Sequence, residues 1–147
     1  MARIILGADS LGMPLLTALV QHFNAQGREV RVRTPPGSDY PEIGHSVCRS
    51  IVAGEYDRGI LVCGTGAGMA IAANKVPGIR AVCVSDPHTA VRAAASNDAQ
   101  VITFGSQVIG HEVAILLAEL WLNSTFQGGR SEAKVAALRG MDELYRK

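Results

Sequence analysis

The sequence predicts an α/β domain in which a five-stranded parallel sheet is covered by helices on both faces. Three observations lead there: short apolar runs of strand length recur along the chain, segments with helical spacing separate them, and the two kinds alternate throughout. Alternation of this sort is built from right-handed βαβ units, and a doubly wound sheet binds its ligands beyond the carboxyl ends of its strands. Residues that directly follow a strand are therefore the first candidates for function.

Ile4-Ile5-Leu6 is the first strand, and Leu15 to Phe23 follows with apolar residues on one helical face. Val30-Arg31-Val32-Arg33 is a second, weaker strand. Residues 34–41, Thr-Pro-Pro-Gly-Ser-Asp-Tyr-Pro, are turn-rich and excluded from helix, and Ile43 to Val52 then resumes the helical spacing. The runs Gly59-Ile60-Leu61-Val62, Ala81-Val82-Cys83-Val84 and Val101-Ile102-Thr103-Phe104 read as strands covered on both faces. Met69 to Lys75, Thr89 to Ser96 and Val113 to Leu122 are the helices after them. Gly128-Gly129 interrupts the chain before a polar last helix from about Arg130, whose Val135, Leu138, Met141 and Leu144 form one apolar stripe. With the sheet's faces already covered, that stripe is expected to pack on another subunit or across the domain. The whole is a Rossmann-like doubly wound sandwich, one domain over residues 1–147 with the last helix used in dimerisation.

Charge and composition exclude several functions. A net charge of +1 gives no basis for binding nucleic acid or an anionic membrane, both of which need clustered Lys and Arg. Cys48, Cys63 and Cys83 are odd in number and lack metal-site or CxxC spacing, so a reducing compartment is expected. The N-terminal apolar run is too short for a signal peptide or a membrane span, which points to the cytoplasm. His22, His45, His88 and His111 show no metal-ligand spacing, and no metal is expected.

The most informative stretch is Cys63-Gly64-Thr65-Gly66-Ala67-Gly68-Met69, which leaves a strand and opens a helix. Backbone N–H groups and the positive end of a helix dipole stabilise anions there, a thiolate or a developing enediolate oxygen alike. The plain alternative is a buried, inert thiol beside glycines that only permit a tight turn. Nucleotide binding is disfavoured, because Gly64, Gly66 and Gly68 do not match GxGxxG and no P-loop Lys-Ser/Thr follows. Asp9 follows the first strand and suits sugar hydroxyls, or caps the next helix together with Ser10. Asn97 ends a helix after Ser96, where an amide contacts ligand or closes the turn. Arg130 and Lys134 lie one helical turn apart and form a candidate phosphate pair, or an ordinary solvated face. His88, in Asp86-Pro87-His88, follows a strand and so lies near the expected crevice.

Gly7-Ala8-Asp9, Asp39-Tyr40-Pro41, the block from Cys63 to Arg80, Asn97-Asp98-Ala99 and Gly128-Gly129-Arg130 together resemble the ribose-5-phosphate isomerase B family, which includes the galactose-6-phosphate isomerase subunits. The likeness runs through nearly the whole chain in order. It implies a homodimer, often paired into a tetramer, with active sites at the subunit interface and no metal or organic cofactor. It further implies that Cys63 is the base moving a proton between C1 and C2 of a sugar phosphate through a cis-enediolate. Gly64, Gly66, Ala67, Gly68, Met69 and Asn97 match the family's anion hole, and Thr65, Asp9 and Tyr40 match positions lining the sugar. Proton abstraction beside a carbonyl needs a positioned base and donors aimed at the new oxyanion, so the residues and the resemblance agree.

The chain departs from that family at informative places. The family's Asp-His-Ala-Gly after the first strand is here Asp9-Ser10-Leu11-Gly12, which removes one phosphate donor. Its ring-opening His before Asn-Asp is replaced by Ser96, which has no comparable basicity. Gly-Ser/Ala-Arg becomes Gly105-Ser106-Gln107, and of the basic run after Gly-Gly only Arg130 remains, with Lys134 as a partial substitute. Each charge-assisted hydrogen bond lost, roughly 1.5–3 kcal/mol, weakens phosphate binding about tenfold or more unless compensated. A substrate that never forms a ring, such as a tetrulose 4-phosphate, accounts for Ser96; alternatively His88 takes over ring opening. Two other classes stay open: a catalytically altered subunit that depends on a partner, and a module that binds a sugar without reacting it.

Overall fold

Three strands of the parallel sheet, β1 (Ile4–Ala8), β3 (Arg58–Cys63) and β5 (Val101–Gly105), are apolar along almost their whole length and occupy its middle. The shorter β2 (Val30–Val32) and β4 (Ala81–Cys83) form the edges, giving the order β2-β1-β3-β5-β4. The structure is a computed structural model, and it describes residues 1–146. The expectation that the run from Ala81 is covered on both faces is corrected: β4 is an edge strand with partly exposed residues, because β5 pairs on one side of it only.

The helices divide between the two faces as right-handed crossovers require. One face carries α1 (Met13–Ala25), α4 (Pro87–Ala95) and α5 (His111–Leu122), packed on Ile4, Leu6, Ile60, Val62, Ile102 and Phe104. The other carries α2 (Tyr40–Val52) and α3 (Ala67–Asn74), packed on Ile5, Leu61, Cys63 and Val101. The helix α6 (Arg130–Tyr145) comes last.

Helix α2 begins within the segment from which the turn-rich composition excluded helix. Asp39 caps it by accepting the Tyr40 N–H at 2.7 Å, and Pro41 sits in the first turn, where a missing N–H costs no helical bond. On α6 only Val135 is buried, whereas Leu138, Met141 and Leu144 are 42%, 53% and 76% exposed. The predicted stripe is therefore largely uncovered within one chain. No described helix is long and apolar enough to cross a membrane.

Candidate functional site

Strand order decides where a ligand can enter. From β1 the chain crosses to β2 on one side, and from β3 it crosses to β4 on the other, over opposite faces of the sheet. A crevice therefore opens between the carboxyl ends of β1 and β3. Ala8 pairs with Val62 in register, so Asp9 and Cys63, the next residue of each run, flank that crevice.

Asp9 is 9% exposed and accepts the Gly12 N–H at 3.0 Å, closing the turn before α1. Cys63 is 4% exposed, with its backbone carbonyl accepting from Ser106 at 2.9 Å. Beyond it Gly66 takes φ of +84°, a conformation that strains a side chain, and turns the chain into α3. The first intrahelical bond runs from Ala70 N–H to Gly66 O at 3.0 Å, and the Gly68 and Met69 N–H groups precede it. Thr65 is exposed on this turn, and its hydroxyl accepts from Ala67 at 3.3 Å. Tyr40 stands over the same turn, since a methyl on Gly68 would lie 2.7 Å from its ring carbon Cε1. A helix N-terminus with free donors next to a strand-end sulfur can stabilise an oxyanion formed beside a base.

The side chain of Met69 is fully buried in the core on the α2–α3 face, so among substrate contacts it can supply only its backbone N–H. Gln107 closes the turn from β5: its N–H donates to Gly64 O at 2.9 Å, and its Oε1 lies where a methyl on Gly64 would stand at 2.9 Å. The backbones meet closely here, because a methyl on Gly105 would lie 2.5 Å from the Thr65 carbonyl carbon and oxygen. Gly105→Ala is expected to cost roughly 1–3 kcal/mol of stability through overpacking and to reduce activity by displacing the Thr65 turn. Urea unfolding and initial rates measured side by side check this; unchanged values would show that the two turns do not need that closeness.

A second group of predicted residues gathers elsewhere. His88, Arg92 and Ser96 follow one another on one face of α4, opposite Arg130 and Lys134 of α6, and line a cleft of about 620 Å³ with Asn97. None of Asp9, Ser10, Tyr40 or residues 63–69 lines this cleft. His88 stands in the first turn of α4, which starts soon after β4, and lines this cleft together with residues of α6. Asp86 caps α4 by accepting the Thr89 N–H and hydroxyl at 2.8 and 2.7 Å, and these bonds hold its carboxyl below the usual carboxylate range.

The turn after α4 is tied down from outside. Arg80 donates to the carbonyl oxygens of Asn97 and Asp98 at 3.0 Å each. Asp98, with φ of +49°, takes both Arg80 and Arg139 of α6 on its carboxylate. Ser10 is exposed at the rim of the first group. Arg92 and Gln127 were not anticipated as site residues, although the i, i+4 spacing of Arg92 and Ser96 could have suggested the first. Among the described residues no three His, Cys, Asp or Glu side chains come together as metal ligands.

Fold and site together define a doubly wound α/β domain with a strand-end thiol beside a helix N-terminus, an arrangement that can stabilise an oxyanion. The model of the Ribose/Galactose Isomerase family matches residues 4–138, and the chain belongs to that family of sugar-phosphate isomerases. It is 42% identical over 150 residues to the ribose-5-P isomerase B of Listeria innocua, covering 98% of this chain and 99% of the relative. It is equally 42% identical, over 139 residues, to the D-erythrulose-4-phosphate isomerase of Pectobacterium atrosepticum, covering 92% of this chain and 91% of the relative. The structure of Clostridium thermocellum ribose-5-phosphate isomerase B superposes with a TM-score of 0.94 at 36% identity, covering 98% and 99% of the two chains.

Proposed function

We propose that this chain interconverts a tetrulose 4-phosphate, of the D-erythrulose type, with the corresponding aldose phosphate. The observation that carries the substrate assignment is Ser96: its hydroxyl accepts from Arg92 at 2.7 Å and offers no base for opening a ring. A tetrose esterified at O4 cannot close a five-membered hemiacetal and needs no such base. The likeness to an erythrulose-4-phosphate isomerase supports the same reading.

In the proposed reaction the Cys63 thiolate removes a proton from C1 of the ketose, and the electron pair moves through C1–C2 to make the C2 oxygen an enediolate oxyanion. The N–H groups opening α3, joined by Asn97 from the α4–α6 cleft of a second copy, receive that charge. Thr65 carries the hydroxyl proton between the two oxygens, and Cys63 returns a proton to C2. No electrons leave the substrate, so the reaction needs no redox cofactor.

Asp9, Ser10 and Tyr40 take the sugar hydroxyls, and Arg130 and Lys134 take the phosphate. Because these two sets lie on separate parts of one chain, a second copy presenting its α4–α6 cleft to the Cys63 turn completes the site. The uncovered stripe of Leu138, Met141 and Leu144 on α6 supports a homodimer or a higher assembly. Residence in the cytoplasm fits a sugar phosphate as substrate.

Proton NMR in D2O with tetrulose, pentulose and hexulose phosphates tests the reaction, light scattering on the same sample the assembly. Exchange at C1 and aldose signals are expected from the tetrulose phosphate. Good turnover of a cyclic pentose or hexose phosphate without it would overturn the substrate assignment, and an active monomer would overturn the shared site.

A further inference from the structure

We propose that Arg92 is a phosphate-binding residue, held for that task by Ser96 and Gln127. This rests on the reading of the substrate as a phosphate ester and adds to it the residue that replaces the donors missing elsewhere.

Arg92 lies near the end of α4, partly buried, and lines the α4–α6 cleft with Arg130 and Lys134. Its Nε donates to Ser96 Oγ at 2.7 Å, and its Nη2 donates to Gln127 Oε1 at 3.2 Å. Both acceptors are neutral, so they fix the guanidinium plane without cancelling its charge. A guanidinium has five N–H donors in a rigid fork, and these two contacts leave others for a ligand.

The lining of the cleft makes the case for an anion. Three permanent cations face it and no carboxylate lines it. Among the described residues Arg92 forms no ion pair, in contrast to Arg80 and Arg139, which share Asp98. Unneutralised cations in a concave site focus a field that favours a dianionic phosphate monoester over a neutral sugar.

The pairing also gives Ser96 a positive role. One helical turn separates it from Arg92, so the two side chains meet on the same face of α4. A short hydroxyl at that place receives Nε and sets the angle of the fork. With serine where the family has its ring-opening histidine, position 96 serves to order an arginine for gripping a phosphate.

Inorganic phosphate titrated calorimetrically into the intact protein is the probe, because it is independent of which sugar reacts. Arg92→Ala is expected to weaken phosphate roughly tenfold to a hundredfold, and Arg92→Lys less. Ser96→Ala, which keeps the charge and removes only the tether, is expected to weaken it roughly threefold to tenfold. With tetrulose 4-phosphate, KM should rise by the same factors while kcat changes less than about threefold. Circular dichroism confirms folding, and the lysine and Ser96 variants keep the test decisive if Arg92→Ala unfolds.

Phosphate affinity equal to wild type in Arg92→Lys and Ser96→Ala, or absence of phosphate binding by the wild type, would overturn the proposal. If the wild type fails to exchange tetrulose phosphate yet phosphate binding weakens in the Arg92 and Ser96 variants, the inference stands and the substrate reading falls.

Discussion

Replacing Cys63 by serine is expected to lower kcat roughly a hundredfold to ten-thousandfold, the range supplied by a positioned general base. The sulfur ends β3 at the β1–β3 crevice, beside the donors that open α3. Serine keeps the size and the turn but is a far weaker acid than a thiol, so the proposed acceptor of the C1 proton is lost. Cys63 is 4% exposed and belongs to the core beneath α2 and α3, so the buried hydroxyl also costs stability, roughly 1–3 kcal/mol. The rate must therefore be measured well below the melting temperature of the variant. Cys48 provides the control: it lies fully buried in the same core, and burial pushes its thiol up to about 12. Cys48→Ala should leave kcat near the wild-type value. Retention of activity within tenfold in Cys63→Ser would remove the cysteine from the role of base.

The largest effect on stability is expected at Trp121. This side chain of α5 is fully buried, its indole N–H donates to Ala99 O at 3.2 Å, and the Arg58 guanidinium lies 4.8 Å above its ring. Arg58 also donates to the carbonyls of Trp121 and Ser124 at 2.7 and 2.9 Å, fastening the end of α5 to the start of β3. Trp121→Ala leaves a cavity, an unpaired carbonyl and an arginine without its ring, and should cost about 3–5 kcal/mol. For a domain whose whole stability is of order 5–15 kcal/mol, that is a large share. Urea unfolding should show a lower midpoint with little change in slope. Since Ala99 and Arg58 lie at the amino ends of β5 and β3, away from Cys63, KM and kcat of the folded fraction should be nearly unaffected. A loss below about 1 kcal/mol would mean that the core under α5 closes over the gap.

The contrast between these residues reflects what can be read from local pattern. Cys63 stood out because a thiol, glycines and a strand-to-helix switch coincide within a few residues. Trp121 was only one apolar residue of a helical stripe, and nothing local revealed that Arg58 and Ala99, far away in sequence, would meet it. Arg92 was missed for a related reason: an arginine near the end of an alanine-rich helix resembles a solvated side chain until α6 and Gln127 are brought opposite it. Tyr40 was placed by resemblance, and the close fit of its ring on Gly68 gives that placement a steric basis.

By itself the sequence determined the class of fold, the alternation of strands and helices, the two-sided burial of β1, β3 and β5, and the turn at Cys63. All of these depend on contacts within a few residues or on the period of apolar side chains. Only the tertiary structure decided that β5 inserts between β3 and β4, that β4 is an edge, and that His88 lines a cleft with residues of α6. Tertiary structure alone also gathered Arg92, Arg130 and Lys134 into one cleft apart from Cys63. The physical reason is that strand order and helix placement are settled by long-range packing of apolar faces. Hydrophobic attraction is non-directional, so the apolar pattern marks which faces are buried but not which partner each face will meet.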